Sequence, residues 1–97
     1  VKELTVQPKR ATSLHRHAVK DETFYIVSGV VELEIQTDPG EKSDLLSVVM
    51  WPGSMQRIAP GQFHRLTNRF EKPCVILECS SHHEDADVER REPSRAL

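Results

Sequence analysis

A turn signal interrupts this sequence every few residues, and the stretches between interruptions are too short and too rich in Val, Ile and Leu to be useful helices. Lys2 to Val6, Glu22 to Ser28, Val30 to Gln36, Leu45 to Met50, Gln56 to Ile58, His64 to Thr67 and Cys74 to Cys79 read as strands. Between them stand Gln7-Pro8, Ser28-Gly29, Asp38-Pro39-Gly40, Trp51-Pro52-Gly53, Pro60-Gly61 and Lys72-Pro73, all of them turn formers. Many short strands joined by tight turns predict an all-β domain, an antiparallel sandwich or barrel. A chain of 97 residues makes one such domain, small enough for dimerisation to help stabilise it. The strand pattern fills residues 1–80. Residues 81–97, SSHHEDADVERREPSRAL from Ser80 onward, are dominated by charge and read as a C-terminal tail that wraps the surface or folds over the barrel.

Composition narrows the function. The formal net charge is -2 and the basic residues are scattered among acidic ones, so no stripe for nucleic acid is expected. No apolar run approaches the roughly 20 residues of a membrane span, and VKELTVQPKR has no signal-type apolar core, so the expected setting is the cytoplasm, with no membrane partner. Cys74 and Cys79 lie five residues apart on one expected strand, on opposite faces and roughly 17 Å apart, and cannot bond to each other.

Three metal-capable side chains crowd the start of the second strand. His15 and His17 occupy alternate positions, so on extended backbone both imidazoles aim at one point while Arg16 aims away. Glu22 follows a short polar loop, and a hairpin-like return brings its carboxylate beside the imidazoles. His64 opens a later strand directly after Pro60-Gly61 and is the fourth candidate. Imidazole and carboxylate together suit one divalent transition metal of the Mn, Fe, Ni, Co or Zn type, and four such donors leave octahedral positions open for substrate. Along the strand from Glu22, Phe24, Ile26 and Ser28 share its face. Tyr25 and Val27 face the other way, toward a second sheet or a partner in a homodimer. Gly29 and Gly53 read as turn residues with positive φ, and Asn68 as a turn cap.

The spacing His15-x-His17-x4-Glu22-x6-Gly29 resembles the ligand-bearing part of the first motif of the cupin superfamily, with Lys9 where that motif usually opens on glycine. The second motif has a counterpart in Gly53-x5-Ala59-Pro60-Gly61-x2-His64-x3-Asn68, with Ala59 in place of the first proline. The resemblance covers about residues 2–80. It implies an antiparallel double-stranded β-helix, or jelly roll, with His15, His17, Glu22 and His64 pointing into the barrel as metal ligands.

A finer resemblance is to the cupin domain of type II mannose-6-phosphate isomerases. It rests on VKELTVQP leading into SLHRH, on RIAPGQFHRLTN, and on VILECS followed by an acidic segment with Asp87-Val88-x-Arg90. That family closes on Tyr-Gly-Arg, whereas Ser94, Arg95, Ala96 and Leu97 stand here. The resemblance implies a metal-dependent isomerase of a sugar or sugar phosphate. A non-haem Fe(II) oxygenase and a non-catalytic sugar-binding or sensor cupin remain as alternatives. Glu78, a charge within the apolar run Cys74-Val75-Ile76-Leu77, is the candidate catalytic base, unless it faces water or pairs with Arg57 or Arg65. Lys20, Arg57 and Arg65 could contact phosphate, but each reads more readily as an exposed surface charge. An aromatic content of 5% favours a small polar ligand over one stacked on rings. His82 and His83, beside Glu84, Asp85 and Asp87, form a weak second metal motif.

Overall fold

The computed structural model describes residues 1–37, 44–81 and 88–97. The Asp38-Pro39-Gly40 turn and the His82–Asp87 motif lie outside the described residues. Every regular element among those described is a strand, so no helix is long and apolar enough to cross a membrane.

One sheet contains β1 (Lys2–Val6), β4 (Glu22–Ser28), β7 (Met55–Ile58) and β9 (Cys74–Ser80), in the order β1-β9-β4-β7. The second is built around β8 (His64–Asn68). On one side β8 pairs with β5 (Val31–Gln36), which pairs in turn with β6 (Leu45–Met50). On its other side lie β2 (Arg10–Ala11) and β3 (Leu14–His17), and outside these lie β11 (Arg95–Ala96) and β10 (Val88–Glu92). All pairings are antiparallel, and the two sheets close over one core as a jelly roll. Phe24, Ile26, Val31, Leu33, Ile58 and Ile76 are almost entirely buried in it, as period-two alternation requires.

The seven expected strands are all present, with ends that differ by one residue at most. Ser28 departs from the expected face, because a register shift between Ile26 and Ser28 turns it out to solvent. β2 and β3 form one edge broken at Thr12-Ser13. There the Thr12 hydroxyl accepts the Leu66 N–H at 2.9 Å while the Thr12 N–H donates to the Leu66 carbonyl at 2.9 Å. The last ten residues are strands added outside this edge, which their charged sequence did not announce.

Both departures from the cupin motifs have a local explanation. Lys9, at the expected glycine, has φ 60°, the glycine-like conformation, and its N–H donates to the Asn68 carbonyl at 2.8 Å. Ala59, at the expected proline, donates its N–H to Gln62 Oε1 at 2.7 Å, a bond proline cannot make. Asn68 is a turn staple: Nδ2 donates to the Val6 and Lys72 carbonyls, and Oδ1 accepts from Phe70 N–H. Cys74 is buried and Cys79 exposed, both free, as their opposite faces demanded.

Gly29 and Gly53 both have positive φ, but of the two Gly29 is the crowded one: a Cβ there would clash with the Pro73 carbonyl oxygen, whereas nothing lies within 4 Å at Gly53. Gly53→Ala should therefore cost about 1 kcal/mol from backbone strain alone. Gly29→Ala should cost about 3 kcal/mol, strain plus overpacking against backbone. Urea midpoints of the two variants measure the difference, and equal costs would remove the close approach from the account.

Candidate metal centre

The barrel interior receives imidazoles from one sheet and carboxylates from the other. His15 and His64 are direct partners across β3 and β8, which sets their rings side by side with centroids 4.5 Å apart. His17, one alternation further along β3, has its ring centroid 5.2 Å from that of His15. One nitrogen from each of the three rings falls within 4.8 Å of the others, close enough to share one metal ion.

The same local device fixes two of the rings. His15 Nδ1 lies 2.9 Å from the Ser13 carbonyl, and His64 Nδ1 lies 3.0 Å from the Gln62 carbonyl. A carbonyl only accepts, so each Nδ1 carries the proton and each Nε2 keeps its lone pair. The Gln62 turn is itself held, since Gln62 Nε2 donates to the Gln36 carbonyl at 2.8 Å and Phe63 N–H donates to Gln36 Oε1 at 3.1 Å.

Glu22 arrives from the facing sheet. The expected hairpin-like return does not occur; residues 18–21 cross from β3 in one sheet to β4 in the other, and the carboxylate spans the interior. Its Oε1 lies 2.9 Å from His17 Nε2 and 3.8 Å from His64 Nε2. Glu22 is 2% exposed and His64 1%, and neither Glu22 Oε1 nor His64 Nε2 has an aligned hydrogen-bond partner. Buried polar atoms without such partners are costly, and a cation between them satisfies both. The donor set and these two atoms fit a divalent transition metal.

Burial, with the His15 ring packed beside it, drives His64 down to about 3, and burial also lowers His15, so both rings are neutral and ready to donate a lone pair at neutral pH. Burial and the neighbouring Glu78 carboxylate push Glu22 up to about 7. For Glu78 burial opposes the charge, yet the Lys20 ammonium and a hydrogen bond shared with Glu22 hold it below the usual range. Its partner is thus Lys20, with Nζ 3.1 Å from Glu78 Oε2, and not Arg57 or Arg65. Arg57 forks onto Asp21 at the surface, and Arg65 pairs with Glu34 and Glu92 on the outer side of its sheet. Lys20 and Arg65 are buried rather than the surface charges their composition suggested.

His15, His17, His64, Glu22, Glu78 and Lys20 face one cavity of about 560 Å³. Leu4, Phe24, Leu66 and Val88 give it apolar walls, and Lys2 and Arg90 add positive charge. Lys2, Val88 and Arg90 were not singled out as site residues by sequence. For Arg90 the signal was its place in the Asp87-Val88-x-Arg90 resemblance; for Lys2 there was only alternation along β1.

A family model described as Cupin domain matches residues 2–79. The chain belongs to the cupin family. Among solved structures, this cupin is similar to a dTDP sugar isomerase from Desulfovibrio desulfuricans G20, with TM-score 0.82 and 21% identity over 93% of this chain and 62% of that one. It is also similar to the Drosophila melanogaster CENP-C cupin domain, with TM-score 0.72 and 20% identity over 81% of this chain and 58% of that one. A third is the S161A mutant of Bacillus subtilis oxalate decarboxylase OxdC, with TM-score 0.68 and 20% identity over 98% of this chain and 22% of that one. At such identities the likeness speaks for the fold, and the chain spans about three fifths of the length of the first two. No curated protein matches the sequence.

The raised Glu22 has a consequence for the metal-free protein. A carboxyl whose folded pKa of about 7 exceeds its ordinary 4.5 binds more protons folded than unfolded, so stability falls as pH rises through that window and stays reduced above it. Glu22→Gln should therefore stabilise the metal-free protein by roughly 1–3 kcal/mol at pH 8 and by almost nothing at pH 4. Urea unfolding at the two pH values checks this; an equal effect at both would show that Glu22 carries no folding-linked proton.

Proposed function

We propose that this cupin is the metal-holding core of an aldose–ketose isomerase acting on a small sugar or sugar phosphate, with one divalent transition metal held by His15, His17, Glu22 and His64. The observation that carries the reading is the pair of buried atoms, Glu22 Oε1 and His64 Nε2, that converge without aligned hydrogen-bond partners at one end of a cavity large enough for a small polar ligand. The dTDP sugar isomerase neighbour lends support as a sugar-directed protein of the same fold.

When bound, such a metal supplies Lewis-acid polarisation of adjacent carbonyl and hydroxyl oxygens. The residues around it do the rest. His15 and His64, locked by their Nδ1–H bonds, present lone pairs in fixed directions. Glu78 is the base that takes a proton from one substrate carbon and returns it to the next, and its depressed pKa keeps it ionised for the first transfer. Lys20 fixes the orientation of that carboxylate. Phe24 and Leu66 reduce the water around it.

One observation favours a second reading, a sugar-binding cupin without turnover: the Lys20–Glu78 ion pair occupies the carboxylate that catalysis needs free. The experiment is a screen of aldose and ketose phosphates against the purified protein, with and without chelator, beside two variants. His64→Ala should lose the metal while keeping most of the fold. Glu78→Gln should keep the metal and lose turnover about a hundredfold or more. Full metal occupancy in His64→Ala would reject the ligand set, and ligand-induced thermal stabilisation without any turnover would select the binding role.

The setting we propose is a cytoplasmic homodimer. Tyr25, Val27 and Met55 are exposed on the outer face of the four-stranded sheet, where Tyr25 stands between Leu77 and Met55 in register. Tyr25→Asp should halve the mass seen by light scattering without altering metal content, and an unchanged mass would exclude this face as the interface.

A further inference from the structure

We propose that Arg90, carried by the tail strand β10, is the anion-anchoring residue of the metal cavity, and that the ligand of this site bears a terminal oxyanion, a carboxylate or phosphate, beyond the oxygens that meet the metal. This rests on the metal-site reading above.

The backbone aims Arg90 inward. Its Cα is paired with that of His15, and the residues on either side of it are tied to the outer face of the sheet. Glu89 meets Arg16, with carboxylate-to-guanidinium distances of 2.9 and 2.8 Å. The Arg91 guanidinium lies 3.9 Å from the centroid of Phe63, a fully buried ring that Arg16 also covers at 4.6 Å. Alternation then leaves Val88 and Arg90 on the cavity side of the strand; both line the cavity, with Val88 half-buried and Arg90 still exposed to solvent. A register shift between Arg90 and Glu92 puts two consecutive residues, Arg91 and Glu92, on the outside, where Glu92 reaches Arg65 at 2.8 Å. The bulge sits immediately after Arg90.

Charge in the cavity is divided unequally. Lys20 is committed to Glu78. Among the described residues, Arg16, Arg57, Arg65, Arg69 and Lys9 all meet carboxylates, whereas neither Arg90 nor Lys2 does. Three cationic side chains thus line the cavity against two carboxylates, and a divalent metal shifts the balance further toward positive. A neutral sugar leaves that excess uncompensated. A ligand with a fixed negative charge at the end away from its chelating oxygens compensates it, and a guanidinium grips either oxyanion in bidentate fashion.

The test measures calorimetric affinities of metal-loaded protein for a ketose phosphate, the matching sugar acid and the uncharged parent ketose, alongside metal content. Wild type should prefer at least one anion over the parent by about tenfold or more, and the better of the two identifies the oxyanion. Arg90→Gln should lose that preference with metal stoichiometry unchanged, and Arg90→Lys should restore part of it. A preference that survives in Arg90→Gln, or wild-type protein that holds metal yet favours neither anion, overturns the role of Arg90 while leaving the metal site intact. Failure of wild type to retain any metal rejects the underlying metal-site reading instead. An anion preference that persists on chelation, and is lost in Arg90→Gln, supports Arg90 independently of it.

Discussion

The backbone pairing of His15 with His64 across β3 and β8 is the contact on which the site depends. A directly opposed pair in an antiparallel ladder brings two Cβ atoms to about 5 Å, and in a period-two structure both must point to the same side. Slipping either strand by one residue would turn one imidazole out to the ionic surface where Arg16 and Arg65 now lie. The Thr12 bridge to Leu66 and the buried ring of Phe63, next to His64 in the chain, help to hold this register. The carbonyls of Ser13 and Gln62, each two residues before its histidine, complete the device by selecting the same tautomer twice.

Building so polar an interior opposes folding. Three imidazoles, two carboxylates and a lysine occupy a cavity that a more stable barrel of this size would fill with Leu and Val. Part of the penalty is offset internally, since Lys20 stabilises Glu78 as an ion. The remainder appears as the raised Glu22, a group that gains from either a proton or a cation. On the proposed reading, metal affinity and apo-state instability would be two aspects of one desolvated carboxylate, and a cation bound there would return stability lost to building the site.

The inner half of this arrangement was legible in the sequence because the chain repeats simple rules there. Alternation put His15 and His17 on one face, Pro60-Gly61 delivered His64 at a strand start, and the charge at Glu78 stood out against its apolar neighbours. What alternation cannot supply is which sheet a strand joins. Glu22 reaches the imidazoles across the barrel and not around a hairpin, a distinction that lies in long-range packing and not in local pattern. The tail was opaque for a different reason. Strands are recognised by apolar periodicity, and VERRE has charges on both faces, because one face meets an ionic lattice and the other a polar cavity. Lys20 was misjudged on the same ground: burial of a lysine is visible only when its partner, Glu78, is known to be beside it.

This double-sided polarity couples the tail to the site. The outer contacts, Glu89 with Arg16, Arg91 on Phe63 and Glu92 with Arg65, all attach β10 to strands that carry His15, His17 and His64. They are partly exposed pairs worth at most about 1 kcal/mol each, so the strand is held by several weak contacts and not by an apolar core. An anion bridging the metal and Arg90 would add an inner contact to the same strand. Docking of the tail and occupancy of the cavity would then share one free energy: whatever loosens the outer lattice, high salt included, would weaken binding of such an anion, and its binding would in turn hold the strand more firmly. By that reciprocity the tail would belong to the site.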